Sequence, residues 1–166
     1  MCDPHATKPP AVDKNYSQAL RQCLGKFATG VTVVTCQGPG GPCGITANSF
    51  TSVSLEPPLI LWNIDKRSNT LQAFFEAERF AVNVLREDQQ SLAEHFARSE
   101  SVSFEGIDYR LNGSAVPMLE NSLACMECRT DQIIEAGDHY IIIGEIESFV
   151  SNDAEPLLFF AGDYRG

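Results

Sequence analysis

Strand-forming segments in this 166-residue chain are joined mostly by turns too short to hold a helical crossover. Parallel strands need a crossover of roughly a dozen residues or more, so short turns push a chain toward antiparallel pairing. Val31-Thr-Val-Val-Thr-Cys36 is rich in β-branched residues. The turn cluster Gly38-Pro-Gly-Gly-Pro42 separates it from Gly44-Ile-Thr-Ala-Asn-Ser-Phe50, which reads as a loose hairpin. Pro57-Pro58 breaks the chain before the apolar strand Leu59–Ile64, and Arg79–Leu85 forms another. Two long strands, about 122–135 and 139–150, flank Gly137-Asp138, and a last short strand covers Pro156–Phe160. Helical periodicity is confined to three places. Leu20, Cys23, Leu24 and Phe27 recur at i, i+3, i+4 and i+7, with Gly30 as a stop. Ser68 is placed to cap a helix through Leu71, Phe74 and Phe75, and Asp88 to cap one carrying Leu92 and Phe96. Residues 99–120, with Gly106, Gly113 and Pro117, read as irregular. The expected fold is mainly β: an antiparallel barrel with a few short packed helices.

The apolar content, 43%, suffices for one globular core. Residues 1–15, with Pro4, Pro9 and Pro10, read as a flexible tail ahead of a single domain at 16–166. A net charge of −10 and a pI near 4.6 disfavour nucleic acid and anionic membrane surfaces as partners. An anionic cofactor then needs a local pocket of donors. The first residues lack a secretory apolar region, and no apolar run reaches membrane-spanning length. A cytoplasmic chain is expected, with its six cysteines as free thiols.

The motif search is mostly subtractive. Gly38–Gly44 is a poor dinucleotide fingerprint, because two prolines interrupt it and a strand follows. Cys125-Met-Glu-Cys128 has metal-ligand spacing but no second ligand pair, and on a strand its two thiols face opposite ways. No metal site is expected. Gly44–Ser54 is more informative. Thr46, Asn48, Ser49, Thr51, Ser52 and Ser54 give a neutral row of hydroxyls and amides, suited to a planar polar ligand with a polyol tail. Read alone, the same row also fits the outer face of a strand. Lys66-Arg67-Ser68-Asn69-Thr70 before a helix suits a phosphate, and equally an ordinary solvated helix start. His139 opens a strand after Gly137-Asp138; a lone histidine is more often structural.

Taken in order, these segments resemble the short-chain flavin reductases, the reductase components of two-component flavin-dependent monooxygenases. The resemblance rests on Phe27–Thr35, Gly44–Ser54 with Pro57-Pro58, Lys66–Thr70 and Phe80-Ala-Val-Asn-Val84. It continues through Gly137-Asp-His139 with Gly144, and Pro156–Gly162 with Tyr164-Arg165. It implies a Greek-key, FMN-binding split β-barrel that forms a homodimer with flavin near the subunit interface. It implies FMN or FAD as the flavin, NADH or NADPH as the reductant, and a partner monooxygenase as the consumer of reduced flavin. Flavin contacts map to Thr46, Ala47, Asn48, Ser49, Ser52, Val53 and Ser54, and phosphate contacts to Lys66, Ser68 and Thr70. His139 maps to the histidine associated with nicotinamide binding and hydride transfer, and Tyr164 and Arg165 fall in the matched C-terminal segment. Two other readings share the fold: a flavin-binding or storage protein, and a pyridoxamine phosphate oxidase-like enzyme.

Overall fold

The structure is a computed structural model that describes residues 14–98 and 103–165. Helix α1 (Lys14–Leu24) leads to a two-residue strand β1 (Thr29–Gly30), then β2 (Thr32–Gly38), β3 (Gly41–Ala47), β4 (Thr51–Leu55) and β5 (Pro58–Asp65). Helix α2 (Leu71–Glu76), β6 (Arg79–Val84), a 3-10 turn (Glu87–Gln89) and α3 (Gln90–Phe96) follow. The chain ends in β7 (Tyr109–Leu111), β8 (Pro117–Leu119), β9 (Ala124–Ala136), β10 (His139–Ser151), β11 (Leu158–Phe160) and β12 (Asp163–Arg165).

Seven strands form one antiparallel sheet in the order β3-β2-β6-β9-β10-β5-β4. Three tight hairpins supply the pairs β2–β3, β4–β5 and β9–β10, as the short turns dictate. Strand β6 inserts between β2 and β9, which gives the non-sequential order of the expected split barrel. The sheet curls so that the residues after β3 approach β5. There the Asn63 backbone N–H donates to Ser49 Oγ at 2.9 Å.

Strand β2 is buried on both faces, which explains its run of β-branched residues. Val34 and Cys36 enter the barrel interior with Ile60, Trp62, Ile64, Phe74, Phe80, Val82, Cys128 and Ile142. Val31 and Val33 face a second core with Leu85, Ala93, Phe96, Leu119 and Leu157. In β5 the alternation Ile60, Trp62, Ile64 is inward, and this leaves Asn63 and Asp65 on the other face. Gly144 lies under the Phe80 ring. A Cβ there would sit 2.5 Å from Phe80 Cζ and 3.0 Å from Cys128 Cβ, so only glycine fits.

A buried polar network ties the β7–β8 hairpin to the sheet. Asn83 Nδ2 donates to the Val33 carbonyl at 2.9 Å and to Thr35 Oγ1 at 3.1 Å. Asn83 Oδ1 accepts from the Leu119 N–H at 2.9 Å and from the Cys125 thiol at 3.1 Å. Thr35 Oγ1 in turn donates to the Pro117 carbonyl. Every polar atom of the amide is used, so the network can be buried at little cost.

Several local expectations need correction. Helix α1 stops at Leu24, where the Gly25 N–H bonds the Arg21 carbonyl, and Thr29–Gly30 pairs with β11 instead of ending a helix. Its apolar stripe packs on no core: no α1 residue is buried, and Leu24 and Phe27 are 65% and 78% exposed. Ser68 does not cap α2. Thr70 precedes the helix, and Ser68 Oγ pairs instead with Thr70 Oγ1 at 2.9 Å. Asp88 lies inside the 3-10 turn with its carboxylate on Arg86, and α3 starts two residues later. Residues 109–119 form a hairpin, where three-residue strands are too short to show alternation. Strand β12 pairs with β11 through Ala161-Gly162, both at positive φ. An alanine at such a position gives no turn signal in sequence. The expected tail, residues 1–15, lies outside the described residues except for Lys14 and Asn15, which already belong to α1.

Candidate functional site

The end of β3 is the hinge of a long surface groove. Thr46 lines three adjoining compartments of about 480, 470 and 130 Å³. Two hydroxyl bonds fix this backbone. Thr46 Oγ1 donates to the Ala93 carbonyl of α3 at 2.7 Å, and Thr32 Oγ1 donates to the Ala47 carbonyl at 2.7 Å. Thr46 is therefore a structural clamp whose hydroxyl proton is already committed.

The middle compartment is lined by amides, hydroxyls and aliphatic groups, with the Asp65 carboxylate as its one anionic side chain. Thr46, Ala47, Asn48 and Ser49 form one wall, and Asn63, Asp65, Ala136, His139 and Ile141 the other. The β-register accounts for this: Asn63 pairs with Ile141, and His139 pairs with both Ala136 and Asp65. Asn63 Oδ1 is buried without a hydrogen-bond partner among the described residues. An unpaired buried amide oxygen is costly, by about 1–3 kcal/mol, and a ligand N–H would satisfy it.

His139 is set by the β9–β10 turn. Gly137 sits at φ +61°, a conformation that favours glycine, and the turn delivers the imidazole to the groove at 43% side-chain exposure. Its Nδ1 lies 2.8 Å from Asp138 Oδ1. A carboxylate only accepts, so Nδ1 is the donor in this hydrogen bond and Nε2 is left facing away from it. That hydrogen bond also holds the Asp138 carboxyl below the usual carboxylate range.

The outer compartment is the cationic end. Arg67, Ser68, Asn69, Thr70 and Arg98 line it, with Gly44 and Phe96 as its apolar floor. The Arg67 guanidinium is held by Asp65 through Nε–H at 3.1 Å and Nη2–H at 2.8 Å. Arg67's side-chain and backbone donors keep Asp65 ionised well below the usual range. Helix α2 has six residues and its start is not side-chain capped, so loop hydroxyls and guanidinium groups dominate here. The small compartment is closed by Tyr164, whose ring packs edge-on against Phe159 at 5.3 Å, and burial raises its phenol.

Of the residues singled out in sequence, the structure gathers Thr46, Ala47, Asn48, Ser49, Ser68, Thr70, His139 and Tyr164 around this groove. Lys66 is turned away. Its ammonium pairs with Glu135, which raises it, and lies 5.4 Å from the Tyr140 ring centroid. Ser52, Val53 and Ser54 lie on the edge strand β4, where Val53 occupies a register shift and Ser54 Oγ accepts from the Glu56 N–H at 3.2 Å. None of the three lines the groove compartments. Arg165 is exposed on β12. Cys125 and Cys128 enter different cores, and burial pushes each thiol up to about 12. Sequence reasoning missed Asn63, Asp65 and Arg98, and it held Arg67 only as one cation of the phosphate-suited run Lys66–Thr70. A signal existed for Asn63, the one polar residue inside Leu59–Ile64.

Comparison with known proteins agrees with this geometry. A family described as "Flavin reductase like domain" matches residues 24–166. The chain is 45% identical over 148 residues to the "FMN reductase (NADH) SmoA" of Agrobacterium fabrum, covering 89% of this chain and 84% of that protein. It is 40% identical over 152 residues to "Flavin-dependent monooxygenase, reductase subunit HsaB" of Mycobacterium tuberculosis, covering 90% and 81%. Among solved structures, the Streptomyces globisporus "NADH:FAD oxidoreductase SgcE6 in complex with NAD and FAD fragments" superposes with a TM-score of 0.87 at 39% identity, covering 94% of this chain and 95% of that one. A polar groove with a cationic end on a split barrel, matched over nearly the whole domain, leaves one assignment: the chain belongs to the flavin reductase family.

Proposed function

We propose that this protein transfers a hydride from NADH to FMN or FAD and hands reduced flavin to a separate monooxygenase. The observation that carries this reading is the groove itself: a polar wall with the unpaired Asn63 Oδ1 runs through Thr46 into a hydroxyl- and guanidinium-lined end. That set of groups fits a flavin nucleotide: Asn63 would take the ring N–H, and Ser68, Thr70, Arg67 and Arg98 would hold the phosphate. Flavin, when bound, supplies the hydride acceptor. The chain's part is alignment. The β3 backbone, clamped at Thr46 and Ala47, gives a rigid wall for a planar ring. Asn63 Oδ1 would accept a hydrogen bond from a ring N–H and so fix in-plane orientation. His139, oriented by Asp138, holds the nicotinamide amide against the ring. A histidine so placed favours a reductase over a storage protein.

The assembly proposed is a homodimer. Tyr16, Leu20, Leu24 and Phe27 expose an apolar stripe at the N-terminus, and Leu158 and Phe160 expose another on β11. A second copy covers surfaces that a lone subunit leaves wet. The relatives SmoA and SgcE6 carry NADH in their names, which supports NADH as donor, and HsaB supports an oxygenase partner. No helix among the described residues is long and apolar enough to cross a membrane, and the free thiols Cys36, Cys43, Cys125 and Cys128 suit a reducing cytoplasm. The test is steady-state oxidation of NADH and NADPH with FMN, FAD and riboflavin. Flavin-dependent NADH oxidation is expected. Folded protein that oxidises neither nicotinamide with any flavin defeats the proposal.

A further inference from the structure

Cys36 and Cys43 are direct cross-strand partners in the β2–β3 hairpin. Facing residues of an antiparallel pair have Cα atoms about 4.5–5.5 Å apart, inside the 4.4–6.8 Å range of disulfides. Cys36 is fully buried in the barrel interior, while Cys43 is half-buried and opens onto a pocket of about 490 Å³ that it shares with Gly38, Asn69 and Thr70. The other described thiols differ. Cys23 is exposed on α1 and has no cysteine facing it, and Cys125 and Cys128 sit on opposite faces of β9. We propose that Cys36 and Cys43 form a hydroperoxide-responsive site, in which Cys43 is oxidised first and Cys36 then closes a cross-strand disulfide.

The two sulfurs have divided roles. The Cys36 thiol donates to Cys43 and is itself pushed up, while that donation lowers Cys43, with the Gly44 N–H adding to the effect. A thiolate is the reactive form, so the nucleophile is the sulfur that faces the pocket. The Cys43 thiolate attacks one peroxide oxygen, the O–O bond breaks, and the leaving hydroxide takes a proton to become water. Cys36 then attacks the sulfenic sulfur, the S–S bond forms, and the hydroxyl leaves as a second water with the Cys36 proton. Two thiols are oxidised and one hydrogen peroxide is reduced to two waters. Dioxygen makes that peroxide wherever reduced flavin escapes; this clause alone rests on the proposed function. The bond would lie one residue from Gly44 in the groove wall, and Asn69 and Thr70 line both the thiol pocket and the groove.

Added hydrogen peroxide makes the test independent of flavin turnover. The folded wild-type protein is treated with limiting peroxide, alkylated with N-ethylmaleimide under denaturing conditions and digested with trypsin. Residues 27–66 emerge as one peptide holding Cys36, Cys43 and no other cysteine. The expected result is loss of both labels with a mass lower by two hydrogens, reversed by dithiothreitol and complete before Cys23 is oxidised. In a Cys36→Ala variant, dimedone should trap a sulfenic acid at Cys43; in Cys43→Ala, Cys36 should gain no adduct. A 27–66 peptide that keeps both labels while Cys23 oxidises overturns the proposal, as does a dimedone adduct on Cys36.

Discussion

Removing the two loop hydroxyls, by Ser68→Ala with Thr70→Val, should separate FMN from riboflavin. These groups face the cationic compartment and currently bond each other at 2.9 Å. A hydrogen bond to a charged group is worth about 1.5–3 kcal/mol, and the mutual bond lost on binding returns about 1 kcal/mol. Two phosphate contacts therefore net about 2–5 kcal/mol, or roughly thirtyfold to several thousandfold in Kd. Riboflavin, which lacks the phosphate, should lose less than about threefold by the same arithmetic. Lys66→Ala is the control. Its ammonium is committed to Glu135, so FMN affinity should change by less than about threefold. Quenching of flavin fluorescence on titration gives all three constants. Equal weakening of FMN and riboflavin, or a larger loss from Lys66→Ala than from the double variant, refutes this placement of the phosphate.

Other outcomes follow from the same geometry. Gly144→Ala drives a methyl into the Phe80 ring and should cost about 1–3 kcal/mol in urea unfolding; an unchanged midpoint would mean that β10 yields freely. Asn83→Ala orphans the Val33 carbonyl and the Leu119 N–H, and should cost about 2–5 kcal/mol by the same assay, where a loss under 1 kcal/mol contradicts the network's role. Sedimentation should give twice the 18.2 kDa chain mass, and a monomer that turns over flavin would leave the exposed α1 stripe unexplained. Asp65 is depressed by Arg67, so the pair contributes above the unfolded carboxylate pKa of about 3.9 and is lost only as pH falls through the lower folded value. The Asp65 carboxyl carbon shift should accordingly stay flat from neutral pH to about 4, and a midpoint above that would break the pairing.

The barrel was legible in sequence because its turns are strong signals. Gly38–Pro42 and Gly137-Asp138 mark turns, the first read as a loose hairpin where the structure closes it tightly by pairing Gly38 with Gly41, and β5 alternates cleanly through Ile60, Trp62 and Ile64. Strands β7 and β12 were illegible because three residues carry no period, and Ala161 adopts a conformation alanine rarely takes. The α1 stripe was read correctly as amphipathic, but periodicity cannot say what covers it. Thr46 to Ser49 and His139 were singled out by their type and by resemblance, and they line the groove. Asn63 and Arg98 are brought in by register and by the end of α3, which only the fold supplies. Lys66 and Arg67 are adjacent cations, and sequence has no means of knowing which one Glu135 captures.

The central claim is that His139 and the clamped β3 wall align nicotinamide and flavin for direct hydride transfer. Anaerobic stopped-flow reduction of bound flavin by NADH isolates that step from flavin release. Wild type should bleach the flavin with a rate that saturates in NADH, and His139→Ala should lower reduction efficiency by roughly ten- to a hundredfold, about 1.4–2.7 kcal/mol, with FMN affinity and melting temperature held. Equal bleaching rates in the two proteins across all NADH concentrations would contradict the account.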